Sequence, residues 1–223
     1  MNAPNTSREN LRERVVDIAI KAFLEAGVSA VTMDSIAHGL SMSKRTLYQL
    51  FGDKEELLLA CFRRLQEQER KRHERIAASS SNVLDFILTE FVTRMRECQN
   101  ISPAFFAEIK KYPKVIAYNQ KHRHEQKHEA VEFLKLGVEQ GIFRPSVNFN
   151  IVYPLILRQV DYFMMEPEFE NYSLSELFGN SVMITIRGCT TLKGAALMDE
   201  FMEKLKQEET DGAQPEKAAE VKD

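Results

Sequence analysis

Six side chains with chemistry in their spacing stand together at Ser43, Lys44, Arg45, Thr46, Tyr48 and Gln49, in the segment SMSKRTLYQLFGDK. Arginine and lysine can read guanine edges, glutamine can read adenine, and serine, threonine and tyrosine hydroxyls bind phosphate oxygens. Leu47, Leu50 and Phe51 recur among them at helical spacing, which turns the polar set onto the outer face of one short helix. Ser43 is placed to cap that helix and Gly52 to break it. From Leu40 to Lys54 there are three basic residues and one acidic one. Thr32 and Lys54 fall at the starts of neighbouring helices, where free N–H groups and the helix dipole favour a phosphate.

The elements that must hold this face are helical. Leu11, Val15, Ile18, Ala19, Ala22, Phe23 and Ala26 form one apolar stripe ending at Gly27. Thr32 then opens a short helix carrying Met33, Ile36, Ala37 and Leu40, and the tight connection GLSMS leads to the polar helix. Three short helices with such a turn predict a helix-turn-helix. Asp53, with Glu56 three residues on, starts a long fourth helix whose apolar stripe fades from Gln66 to Arg75. The charged run Arg63–Arg75 reads as the solvated flank of that helix.

The break AASSSN separates this head from further amphipathic helices. These begin near Val83, Pro103 and Pro113, and then span about 149–165 and 174–206. The segments VNFNIVYPLIL and SVMITIRGCTTL are β-branched, yet no strand is available to pair with them, so both read as buried helices. The predicted fold class is all-α. Its parts are a DNA-binding head at 1–54, a connecting helix at 55–80, a helical body at 81–206 and a disordered acidic tail at 207–223.

Composition narrows the functions. The net charge is −3, so a DNA-binding surface has to be local. The three cysteines are scattered, as suits a reducing cytoplasm, and no apolar run is long enough for a membrane span. There is no GxSxG, Walker loop, HExxH or GxGxxG, so no enzyme and no cofactor are expected. His124 and His128 stand one helical turn apart, but Lys121, Arg123 and Lys127 crowd them with positive charge, and no metal site is expected.

The segment VTMDSIAHGLSMSKRTLYQLFGDKEELL, Val31 to Leu58, resembles the N-terminal signature of the tetracycline-repressor-like (TetR/AcrR) family of bacterial transcription regulators. The likeness rests on Thr32, Ile36-Ala37, the small-residue turn, Thr46-Leu47-Tyr48, Phe51 and Lys54-Glu55. It implies phosphate contacts from Thr32, Tyr48 and Lys54, and groove-facing roles for Lys44, Arg45, Thr46 and Gln49. Two positions depart from the family pattern. Arg45 stands where a small residue is frequent, and Leu50 stands where histidine is frequent.

The resemblance further implies a cytoplasmic homodimer on a palindromic double-stranded operator, released as a repressor by a small-molecule effector. The last two long helices are expected to pair across the dimer, with Ile184, Ile186, Leu192 and Leu197 apolar and Gly188, Cys189, Thr191, Gly194, Ala195 and Ala196 small. An apolar or aromatic effector would be lined by Phe91, Met95, Phe105, Phe106, Tyr118, Tyr153 and Tyr162, and oriented by Arg158 or Gln159. The same rings would also serve as plain core. An activator or a ligand-independent regulator shares this pattern, and a helical interaction protein without DNA binding is the reading of another class.

Overall fold

Helix starts fall where capping side chains stand. Thr32 accepts from the Ser35 amide while Ser35 Oγ receives the Thr32 amide, both at 3.0 Å. Ser43 accepts from the Thr46 amide at 3.1 Å and Asp53 from the Glu56 amide at 2.8 Å. Each such cap contributes about 1 kcal/mol. The computed structural model describes residues 3–169 and 171–212. In chain order the helices are α1 (Ala3–Ala26), α2 (Met33–Gly39), α3 (Lys44–Leu50) and α4 (Lys54–Ser79). Then follow α5 (Val83–Cys98), α6 (Pro103–Ile109), α7 (Pro113–Glu139), α8 (Phe149–Met165), α9 (Leu174–Gly179), α10 (Val182–Cys189) and α11 (Leu192–Gly212). Both β-branched segments are helical, as α8 and α10. No described helix is long and apolar enough to cross a membrane.

Two cores organise the chain. The first joins Val15, Ala19 and Phe23 of α1 to Ile36, Leu47, Phe51, Leu57, Leu58 and Cys61. It also takes in Phe105 and Ile109 of α6 and Val115 of α7. The head therefore shares its core with helices that follow it by some fifty residues in sequence. The second core gathers Leu84, Leu88 and Met95 of α5 with Val131, Phe143, Phe149, Val182, Ile186 and Met198. Cys61 sits inside the first core, where burial pushes its thiol up to about 12.

Three expectations need correction. The single helix from 174 to 206 is three helices, α9 to α11. The break before α11 is made by tertiary contact: the Thr191 amide bonds Ile142 O and the Arg144 amide bonds Cys189 O, each at 2.9 Å. These bonds satisfy backbone groups that a continuous helix would have paired internally. Gly194 lies against that crossing, where a Cβ would collide with Ile142 O, so its smallness serves packing within the chain rather than a partner helix.

Helix α11 also runs past Lys206 to Gly212, into the stretch expected as tail. The rest of the tail lies outside the described residues.

Finally, the charged flank of α4 is not merely solvated. Arg72 bonds Glu90 of α5 at 2.9 and 3.1 Å and Glu97 at 2.9 Å, and Arg94 bonds Glu69.

Candidate DNA interface

The helix-turn-helix is closed by Ser41, which adopts φ +51°, a left-handed conformation that non-glycine residues enter only in tight turns. Ser41 N and Met42 N bond back to His38 O and Ala37 O at 3.0 Å, which ends α2 and aims α3. Leu47 and Phe51 anchor α3 in the first core. That anchorage leaves Ser43, Lys44, Arg45, Tyr48 and Gln49 exposed on the opposite side, with Thr46 half-buried.

The expected residues differ in how free they are. No ion pair or hydrogen bond holds the Arg45 side chain among the described residues. Lys44 Nζ is 2.8 Å from both Asp34 carboxylate oxygens, and this hydrogen bond and charge raise the pKa of the lysine. Ser43 Oγ is within 2.7 Å of Thr46 Oγ1 as well as capping α3. Thr32 Oγ1 is likewise engaged as a cap.

Lys54 is half-buried at the first turn of α4, with its ammonium 5.9 Å from the Phe23 ring centroid. Desolvation there lowers its pKa. Two cations missed in the sequence join this surface. Arg8 Nη2 bonds Gln49 O at 3.1 Å, and the Arg12 guanidinium lies 4.8 Å from the Phe51 ring centroid. Their one-turn spacing along the first apolar stripe was the available signal.

An exposed row of Arg, Lys, Tyr and Gln on the second helix of a helix-turn-helix suits a DNA groove. Residues 15–61 match the family model of the bacterial regulatory proteins, tetR family. The chain is a DNA-binding regulator whose head matches the tetR family. Among relatives, it is 25% identical over 151 residues to the HTH-type transcriptional repressor KstR2 of Mycobacterium tuberculosis, covering 65% of this chain and 75% of that one. The structure of ketosteroid transcriptional regulator KstR2 of M. tuberculosis superposes with a TM-score of 0.54 at 22% identity, over 81% of this chain and 95% of that one. A TetR-family regulator from Cytophaga hutchinsonii gives a TM-score of 0.67 at 14% identity, over 83% and 97%. The matching segment holds the second half of α1, the whole of α2 and α3 and the start of α4.

The side chains expected around an effector divide between the two cores. Phe105, Phe106 and Tyr118 pack with the first. Phe105 contacts Phe62 of α4 and Phe106, with ring centroids 6.1 and 5.5 Å apart. Phe91, Met95 and Tyr153 pack with the second. Gln159 pairs with Thr185 Oγ1, while Arg158 and Tyr162 are exposed, Tyr162 bonding Glu168 at 2.9 Å. Two hollows of about 460 and 400 Å³ open elsewhere: one beside Pro145–Asn150, the other between α5 and α11. None of the nine expected side chains lines either.

Proposed function

We propose that the chain is a repressor that binds a palindromic operator as a homodimer and leaves it when an apolar or aromatic small molecule binds the body. The observation that carries this reading is the free Arg45 at the centre of the exposed α3 face. In this reading Arg45, Lys44, Thr46 and Gln49 enter the major groove, while Thr32, Ser43, Tyr48 and Lys54 position the head on phosphates.

The dimer is supported by apolar surface that one chain leaves open. Ile151 and Leu155 lie one turn apart on α8, 57% and 56% exposed, and Ile184 of α10 is 61% exposed. Leu192, opening α11, is 92% exposed. Ile186 is buried and Leu197 half-buried within the chain, so of the apolar residues named for the interface Ile184 and Leu192 remain available. A twofold dimer spaces its recognition helices about 34–36 Å apart, one turn of DNA.

The ligand class is supported by the aromatic side chains of α5, α6 and α8, and by the likeness to KstR2, a regulator named for ketosteroids. Phe105 and Phe106 stand where α6 meets both α4 and the head core. A molecule wedged there shifts the heads only through its differential affinity for the two arrangements. The test is reciprocal: a compound that raises the melting temperature of the free protein should lower operator affinity. If every such compound leaves DNA binding unchanged, the sensor reading fails.

A further inference from the structure

Three donor atoms converge on the body side of α4. Glu69 and His73 stand one turn apart on α4, and Glu90 faces them from α5. His73 Nε2 lies 3.1 Å from Glu90 Oε1 and 3.9 Å from Glu69 Oε1, and the three donors lie within 4.8 Å of one another. Metal bonds of about 2.0–2.2 Å place neighbouring donors about 3–3.5 Å apart, close to this spacing.

His73 Nε2 is buried and has no hydrogen-bond partner, although Glu90 is within reach. A buried, unsatisfied ring nitrogen is rare and calls for an occupant. The Phe86 ring, edge-on at 5.8 Å, limits how far the imidazole can turn.

The surroundings suit a cation in charge and in support. Glu69, Glu90 and Glu97 outnumber Arg72 and Arg94, so the cluster is net negative with His73 neutral. Arg72 holds Glu90 by two bonds and is itself held by Glu97, the kind of outer contact that fixes a ligand's direction. Arg94 is the competitor. It contacts Glu69 Oε1 and lies 3.6 Å from Glu90 Oε1, and at 43% exposure it can swing into solvent.

We propose that Glu69, His73 and Glu90 bind one divalent first-row transition-metal ion of the Zn²⁺ or Co²⁺ type, with water completing the coordination. One imidazole and two carboxylates favour these ions over Mg²⁺ and Ca²⁺, which prefer all-oxygen shells. Bound there, the ion pins α4 to α5.

The test titrates metal-free full-length protein with Co²⁺, read by visible absorption, and with Zn²⁺, read by calorimetry. The wild type should bind one ion per chain with an imidazole-ligated Co²⁺ spectrum. His73→Ala should weaken binding by at least about 10-fold. His124→Ala, which breaks the exposed histidine pair on α7, should change nothing. Arg94→Ala should tighten binding several-fold, because it removes the competitor for Glu69 and Glu90. An ion-pair fastener without metal predicts no such gain. The proposal is overturned if the wild type does not bind, if His73→Ala binds as the wild type does, or if the loss follows His124→Ala instead. Should His73→Ala not fold, Arg94→Ala decides, and unchanged or weaker affinity there overturns the site.

Discussion

Glu108 of α6 accepts a hydrogen bond from the backbone N–H of Ser29 at 2.6 Å, tying the body to the loop between α1 and α2. The Ser102 amide bonds Leu24 O at 2.7 Å beside it. Glu55 of α4 accepts from the Lys114 amide at 2.9 Å, which satisfies a free N–H in the first turn of α7. Glu56 holds the Lys114 ammonium at 2.5 Å. The head is thus gripped at two points besides its direct continuation into α4.

These grips predict that Glu108→Ala uncouples the two ends of the molecule. Effector coupling is typically about 5- to 150-fold in affinity, and this variant should lose most of it. Operator affinity without effector should change less than about threefold. Anisotropy titrations with and without a thermal-shift ligand measure both quantities, and an unchanged ratio would show that Glu108 carries no coupling. Ser29 lowers the Glu108 pKa through its hydrogen bonds. The contact therefore supports the fold above the ordinary carboxylate range and is lost as pH falls through the lowered value.

Gly27 adopts φ +83°, and a Cβ there would stand 2.9 Å from Ala104 Cβ. Gly27→Ala should destabilise by about 1–3 kcal/mol through left-handed strain and this clash. At Gly39 an added methyl would meet nothing within 4 Å, and φ is not positive. Gly39→Ala should therefore be neutral or stabilising by up to about 1 kcal/mol. Paired urea melts test the contrast; equal effects would contradict the tight seat of Gly27 on α6.

Asp34 holds Lys44 on the face proposed to meet DNA. Asp34→Asn should release the ammonium and remove a like charge from the phosphates. Affinity should rise about two- to fivefold, the scale of an exposed ion pair, with a steeper salt dependence. A salt series on wild type and variant reads this directly, and weaker binding by Asp34→Asn would mean that the pair is needed to orient Lys44.

The apolar residues left open on α8 and α10 predict the oligomer. Ile184→Glu should bury a charge in the proposed interface and raise the dimer dissociation constant by about 100-fold or more, because an unpaired buried charge costs several kcal/mol. Sedimentation across a concentration series gives the constant. A dimer as tight as the wild type would move the interface elsewhere.

The parts legible in the sequence were those with local causes. Thr32, Ser43 and Asp53 announce helix starts because a cap acts over three residues, and the outward face of α3 follows from the 3.6-residue period. The allegiance of α6 was not legible. Phe105 and Ile109 are apolar on any reading, and only tertiary packing decides that they enter the head core. The break at Thr190-Thr191 carries no proline or glycine turn and is imposed by the crossing of Ile142 to Arg144. Arg72, Glu90 and Glu97 likewise pair across two helices, and no periodicity within one helix reveals that. The division of the expected effector side chains between two cores has the same origin, since each sits on a correctly read helix whose partners lie far away in sequence.

The central claim is that α3 reads DNA, and footprinting of the gene's own upstream region by wild type and Arg45→Ala tests it most directly. The account predicts protection of an inverted repeat with half-site centres about one helical turn apart. Arg45→Ala should lose about 1–3 kcal/mol of affinity, concentrated at one base pair per half-site. Protection without any repeat, or an Arg45→Ala footprint of wild-type strength and sequence preference, would contradict it.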